Sequence, residues 1–147
     1  MLFFTILLQV QFPPIGSHPD SWNKYKENID QEKLTFRCFD NSKIISLDKI
    51  NDNYLDCPDG SDEPGTDAYQ NGTFYCNNSG ILPMSIPKWS VGDGICDCCD
   101  GSDEYFMKSK WSCPNTCQSL LEKRNKLAET IRMKILKGLQ IKADLRL

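Results

Sequence analysis

Asp56-Cys57-Pro58-Asp59-Gly60-Ser61-Asp62-Glu63 returns 41 residues later as Asp97-Cys98-Cys99-Asp100-Gly101-Ser102-Asp103-Glu104, with seven of eight positions identical. Each word crowds four carboxylates into eight residues and holds no basic residue. Charges that close repel strongly unless a counter-ion joins them. A divalent cation with oxygen ligands would do so, and the words are therefore read as two small calcium-binding units in tandem, each closed by cysteines. Calcium takes about six to eight oxygens at roughly 2.3–2.6 Å. Asp52 stands four residues before Asp56, and Asp93 four before Asp97. Asp52, Asp56, Asp62 and Glu63 offer one carboxylate set; Asp93, Asp97, Asp103 and Glu104 offer the second. Backbone carbonyls of the intervening turns complete each. Asp59 and Asp100 are assigned to bracing the loop, and Gly60 and Gly101 to a tight backbone path.

Eight cysteines lie between Cys38 and Cys117 in a chain of 147 residues. An even, clustered count suits a disulfide framework in an oxidising compartment. The first unit, residues 36–69, runs from Phe36-Arg37-Cys38 through the apolar Ile44-Ile45-Ser46-Leu47 to the first word and a Pro64-Gly65 turn. The second, residues 70–117, repeats the order: Phe74-Tyr75-Cys76, Met84 to Pro87, Trp89 to Cys96, then the second word. Apolar residues are too few for a large core, so disulfides and metal must stabilise these units. The expected fold is small, disulfide-rich and calcium-stabilised, with little regular structure before a C-terminal helix.

Met1 to Val10 is an apolar run too short to span a bilayer. It reads as the core of a secretory leader covering residues 1–17, with Gly16-Ser17 as the cleavage neighbourhood. The sequons Asn71-Gly72-Thr73 and Asn77-Asn78-Ser79 fit the same lumenal route, with Asn71 and Asn77 as glycosylation sites. Residues 18–35 are polar and broken by proline, and are expected to form a loosely packed arm. Trp22 and Tyr25 either anchor that arm or move with it.

The net charge of −3 is unevenly divided. Residues 1–117 hold 9 Lys/Arg against 17 Asp/Glu, a balance of −8, whereas residues 118–147 hold 8 against 3, a balance of +5. In the latter stretch Leu120, Leu127, Ile131, Ile135 and Leu139 make a helical stripe. A basic amphipathic helix over 118–147 follows, with Asn115 or Thr116 as its cap. It is read as the start of a coiled coil rather than a membrane-surface helix, since no aromatic residue follows Trp111. Neither nucleic acid nor stable membrane insertion is expected.

Other chemistries fit less well. Asp52–Glu63 and Asp93–Glu104 each span the twelve residues of a helix–loop–helix calcium hand. That loop needs glycine at its sixth position, where this chain has Cys57 and Cys98. Zinc at Cys96, Cys98, Cys99, Cys113 and Cys117 has acceptable spacing only at Cys113-x3-Cys117, and a secretory route oxidises such thiols. Glycosidase chemistry needs two carboxylates in different environments across a cleft, but the two words are near-duplicates. The single histidine, His18, sits in the proline-bounded arm with no nucleophile pattern around it. No enzyme is expected.

The string Phe-x-Cys followed by Asp-x3-Asp-Cys-x-Asp-Gly-Ser-Asp-Glu resembles the LDL-receptor class A module. The resemblance implies calcium ligation by the four carboxylates of each unit, completed by the carbonyls of Lys49 and Tyr54 in the first and of Ser90 and Ile95 in the second. Asn51 and Gly92 stand where that module has a cysteine. The longer segments 50–66, 71–76 and 91–105, with Cys113-Pro114-Asn115-Thr116-Cys117 running into a basic helix, resemble the N-terminal domain of the glucosidase II beta-subunit family over roughly residues 15–147. Leu55 and Tyr69 replace two cysteines of that family. The resemblance then implies the pairs Cys38–Cys57, Cys76–Cys98, Cys96–Cys113 and Cys99–Cys117. On chain-entropy grounds the Cys38–Cys57 loop contributes on the order of 3 kcal/mol. The first unit is therefore expected to be the weaker, leaning more on calcium.

The implied function is a non-catalytic docking subunit in the endoplasmic reticulum lumen. It would bind the catalytic alpha subunit and support glucose trimming of N-linked glycans, with two Ca2+ ions bound. The family's acidic middle, mannose-6-phosphate-receptor-homology domain and retrieval tetrapeptide have no counterpart in residues 1–147, so no mannose recognition is expected. The alternative is a secreted or surface class A module that binds a basic protein through its calcium-bound carboxylates.

Overall fold

The computed structural model of the protein describes residues 12–79, 81–107 and 113–146. Most of the expected leader, residues 1–11, lies outside them.

The two units share one plan. In the first, strands β1 (Ile29–Asp30), β2 (Thr35–Arg37) and β3 (Ile44–Ser46) form an antiparallel sheet in that order. In the second, β4 (Thr73–Cys76) pairs with β5 (Met84–Pro87). Aromatic and β-branched residues favour a half-buried pleat, and alternation sends one central side chain inward from each first strand. Phe36 lies opposite Ile45, and Phe74 opposite Ile86, and both phenylalanines are fully buried. A one-turn 3-10 helix follows each hairpin, Leu47–Lys49 and Lys88–Ser90, and leads into the acidic loop.

Each core packs aromatic rings beside one disulfide. The first gathers Tyr25, Phe36, Cys38, Leu47 and Cys57, with Ile29, Phe39, Ile45 and Ile50 around them. The second gathers Phe74, Cys76, Ile86, Val91 and Cys98, with Ile15 and Tyr105. Cores this small bury too little apolar surface to fold unaided. Four disulfides close the chain: Cys38–Cys57, Cys76–Cys98, Cys96–Cys113 and Cys99–Cys117. These are the pairs the resemblance implied.

The segment expected to be a loose arm is folded. Helix α1 (Trp22–Asn28) sends Tyr25 into the first core, where its ring stacks on Phe36 with centroids 5.7 Å apart. The Tyr25 hydroxyl donates to the Ser61 carbonyl at 2.8 Å, pinning the helix to the first acidic word. The Trp22 indole donates to the Ser17 carbonyl at 3.2 Å. A periodicity search cannot see this anchoring, because one aromatic residue carries it.

Residues 13–17, grouped with the leader by sequence, also pack into the fold. Ile15 joins the second core. The Gly16 carbonyl accepts from Tyr75 N–H at 2.9 Å. Gly16 has φ +79°, and a Cβ there would stand 2.4 Å from the Pro64 carbonyl oxygen and 2.7 Å from the Phe74 ring. Only glycine fits so close an approach in that backbone region.

Helix α2 (Cys117–Asp144) begins one residue earlier than expected, at a cysteine bridged to Cys99. The Asn115 side chain accepts from Cys117 N–H at 3.0 Å, and the Thr116 hydroxyl donates to the Cys99 carbonyl at 3.3 Å. Beyond Cys117 the helix is almost wholly exposed: Leu127 is 61% and Leu139 59% accessible. No helix among the described residues is long and apolar enough to cross a membrane.

Candidate cation sites at the two acidic words

The repeat extends from sequence into backbone geometry. Asn51, Asn53 and Gly60 have φ of +60°, +66° and +69°; their counterparts 41 residues on, Gly92, Gly94 and Gly101, have +72°, +88° and +69°. Asparagine is the side chain that best tolerates this left-handed region. The exchange of Asn for Gly therefore preserves the loop path. Asn51 N–H donates to the Asp62 carbonyl at 2.8 Å, and Gly92 N–H to the Asp103 carbonyl at 3.1 Å.

The braces also match. Asp59 Oδ1 accepts from Ser61 N–H at 3.0 Å and from the Ser61 hydroxyl at 2.6 Å, while Oδ2 accepts from Asp40 N–H at 2.7 Å. Asp100 accepts from Ser102 N–H at 3.0 Å, from its hydroxyl at 2.6 Å and from Asn78 N–H at 2.8 Å. Both aspartates thus tie the acidic loop to the turn after the first cysteine of their unit. Asp62 Oδ2 accepts from Asp56 and Cys57 N–H at 2.6 and 3.0 Å, and Asp103 Oδ2 from Asp97 and Cys98 N–H at 2.6 and 3.1 Å.

The candidate ligands sit around these frames. Asp62, Glu63, Asp103 and Glu104 are buried, whereas Asp52, Asp93 and Asp97 reach the surface. Asp56 Oδ2, Asp62 Oδ1, Asp103 Oδ1 and both oxygens of Glu104 are buried without a well-formed hydrogen bond. Buried charge without a partner is costly. Burial raises the carboxyls of Asp62, Asp103 and Glu104 above the ordinary range, and that of Glu63 to about 7. Oxygen-only donors with unmet acceptor capacity are what a hard cation such as calcium selects. Among the described residues, no three His, Cys, Asp or Glu side chains converge closely enough to hold a metal ion.

The first loop carries its own cation. Lys49 Nζ donates to Asp52 Oδ2 at 3.0 Å and stands 3.9 Å from Asp56 Oδ2. The hydrogen bond to Asp52 raises this lysine above its ordinary range. Ser90, buried, occupies the matching place in the second unit. Tyr54 and Ile95, whose carbonyls were expected to complete the sites, hold exposed side chains at matching positions, and the Ile95 carbonyl accepts from Asp97 N–H at 3.1 Å. Asn71 and Asn77 are both exposed.

A ring in the first unit stands where a disulfide stands in the second. A Cβ on Gly60 would lie 2.3 Å from the Tyr69 ring, and one on Gly101 would lie 2.7 Å from Cys113 Cβ. Tyr69 therefore covers the glycine of the first word where the Cys96–Cys113 disulfide covers that of the second.

A family model described as glucosidase II beta subunit-like matches residues 3–147. The chain belongs to the glucosidase II beta subunit-like family. Among its relatives in that family, glucosidase 2 subunit beta of Mycosarcoma maydis is 52% identical over 110 residues, covering 72% of this chain and 18% of that protein. The protein of the same name from Bos taurus is 42% identical over 131 residues, covering 89% and 24%. The chain thus spans about a fifth of the length of the curated relatives it matches. A chain from the crystal structure of the ER glucosidase II heterodimeric complex, which consists of the catalytic subunit and the binding domain of the regulatory subunit, aligns at 36% identity and a TM-score of 0.61. The alignment covers 72% of the present chain and 98% of that one.

One residue of the junction between the units escaped the sequence reading. Lys88 is 3% exposed, and its ammonium donates to the Glu63 carbonyl at 2.5 Å and to the Pro64 carbonyl. Burial lowers this lysine to about 8. Asn51 works beside it, donating to the Ile15 carbonyl at 3.2 Å and accepting from Gly65 N–H at 2.7 Å. A lone lysine between Pro87 and Trp89 carries no local signal of such a role.

Proposed function

We propose that this chain is the docking part of a non-catalytic glucosidase II beta subunit. It binds the catalytic alpha subunit in the endoplasmic reticulum lumen and so supports glucose trimming of N-linked glycans. The observation that carries this reading is the 36% identical match across 98% of a chain in the ER glucosidase II heterodimeric complex. The four-disulfide framework and the sequons fit an oxidising lumen.

In this reading the units are divergent class A-like modules, each with a structural calcium ion. Asp52, Asp56, Asp62 and Glu63, with the carbonyls of Lys49 and Tyr54, would hold one. Asp93, Asp97, Asp103 and Glu104, with those of Ser90 and Ile95, would hold the other. The buried oxygens without a well-formed hydrogen bond support this assignment. Calcium supplies charge compensation and no reaction step. An ion bound only by the folded unit adds its binding free energy to stability. The leader ends upstream of Pro13, Asn71 and Asn77 carry glycans, and the exposed stripe of α2 begins a coiled coil.

The test is capture of the glucosidase II catalytic subunit by this chain, in calcium and in EDTA. Capture in calcium that is lost in EDTA is expected. No capture in either condition overturns the docking role. Equal capture in both overturns the structural role of calcium. Glucose release by the isolated chain would overturn the non-catalytic reading.

A further inference from the structure

We propose that the two acidic loops are calcium sites of unequal affinity, the second filling before the first, because Lys49 supplies the first with an internal cation. This rests on the calcium reading above and goes beyond it.

The repeat provides its own control. The left-handed turns, the braces and the carboxylates' places in sequence match, and the loops differ in what lies against the carboxylates. In the first loop the Lys49 ammonium donates to Asp52 and faces Asp56 at 3.9 Å. Glu63 is also occupied: Oε1 accepts from Asp52 N–H at 3.1 Å and Tyr54 N–H at 3.3 Å, and Oε2 from Asn53 N–H at 3.2 Å and from the Thr66 hydroxyl. In the second loop Ser90 replaces the lysine. Oδ1 of the fully buried Asp103 has no hydrogen-bond partner, and Glu104, 2% exposed, faces the Asp93 and Gly94 N–H groups without a well-formed hydrogen bond. Each loop holds unmet acceptors, Asp56 Oδ2 and Asp62 Oδ1 in the first and those of Asp103 and Glu104 in the second, so the difference lies in the ammonium. An ion entering the first must break the Lys49 contact to Asp52 and leave an ammonium beside a dication, an unfavourable like-charge pair.

Lys49 can leave, since it is only partly buried and the Tyr54 ring it also contacts, 5.8 Å to the centroid, is itself exposed. The first site is therefore weakened rather than abolished. When empty, its loop keeps an ion pair that has no counterpart among the described residues around the second loop.

The experiment follows backbone amides of the whole chain by nuclear magnetic resonance during a calcium titration after chelator treatment. Asn53 and Gly60 report the first loop; Gly94 and Gly101 report the second. In the wild type the second pair is expected to saturate at about tenfold lower calcium or less, the scale of one removed charge contact. Lys49→Gln should close most of that gap by moving only the Asn53 and Gly60 midpoints, and Lys49→Arg should keep it open. Lys49→Met is the second charge-free variant should Lys49→Gln fold poorly. Midpoints that coincide in the wild type, or a first-loop midpoint unmoved by both charge-free variants, would overturn the proposal while leaving calcium binding intact. Amides of both loops that ignore calcium would overturn the calcium reading itself.

Discussion

Between Asp52 and Glu63 the chain sets an ammonium and several peptide N–H groups against its carboxylates, with the Thr66 hydroxyl close by. Between Asp93 and Glu104 no ammonium stands among the described residues, and three buried carboxylate oxygens lack a well-formed hydrogen bond, against two in the first loop. The two units differ in the opposite sense in their cross-links. The first has one disulfide, an aromatic cluster of Tyr25, Phe36 and Phe39, and Tyr69 over its loop glycine. The second has three disulfides. A repeated loop can thus keep its geometry while its stability comes from different sources. The first unit leans on packing and an internal cation, the second on covalent bridges. The sequence expectation that the first unit depends more on calcium did not weigh Lys49.

The largest effect should come from the buried rings. Phe36→Ala and Phe74→Ala each remove a fully buried phenylalanine, a loss of about 3–5 kcal/mol. The first unit has one bridge and should lose its amide-exchange protection, whereas the second should stay compact on its three. Equal loss of protection in both units would break the comparison.

Next is the junction. Lys88 has a folded value of about 8 against 10.5 when unfolded. The unfolded chain therefore binds more protons between those limits, and stability rises as pH rises from about 8. The full difference is on the order of 3 kcal/mol. Lys88→Met keeps the same tyrosines and should lack this rise. Urea midpoints measured from pH 7.5 to 9.5 test it, and parallel pH curves for the two proteins would remove Lys88 as the titrating group.

The smallest effect should be the most symmetrical. Asp59→Asn and Asp100→Asn put an amide N–H where an oxygen accepts from Asp40 or Asn78 N–H. Each should cost about 1–2 kcal/mol, alike in both units and independent of calcium. A cost that differs by more than the error of paired denaturation curves, or that vanishes in calcium, would show that the braces belong to the ion site.

The loops were legible because their determinants are local. Gly60 and Gly101 permit a left-handed turn, Asp59 and Asp100 fold back on the serine two residues later, and duplication at one offset marks both loops at once. The helix of the basic tail was legible from its stripe, to within one residue at its start. What the sequence left open, as for Tyr25, or gave no sign of lies at long range. Tyr25 reaches Ser61 across 36 residues, Lys88 reaches Glu63 across 25, and Asn51 reaches Ile15 across 36. Such contacts have no period or spacing, since one side chain and one backbone carbonyl are enough to make them.

The sequence by itself determined the two acidic loops, the order of elements and the family, because turn chemistry and repeats are written in neighbouring residues. Tertiary structure alone decided that residues 13–35 belong to the fold and that Lys88 joins the units. Those outcomes depend on which charges and carbonyls are brought together in space, and an ammonium acts on whatever lies within a few ångströms of it, however distant along the chain.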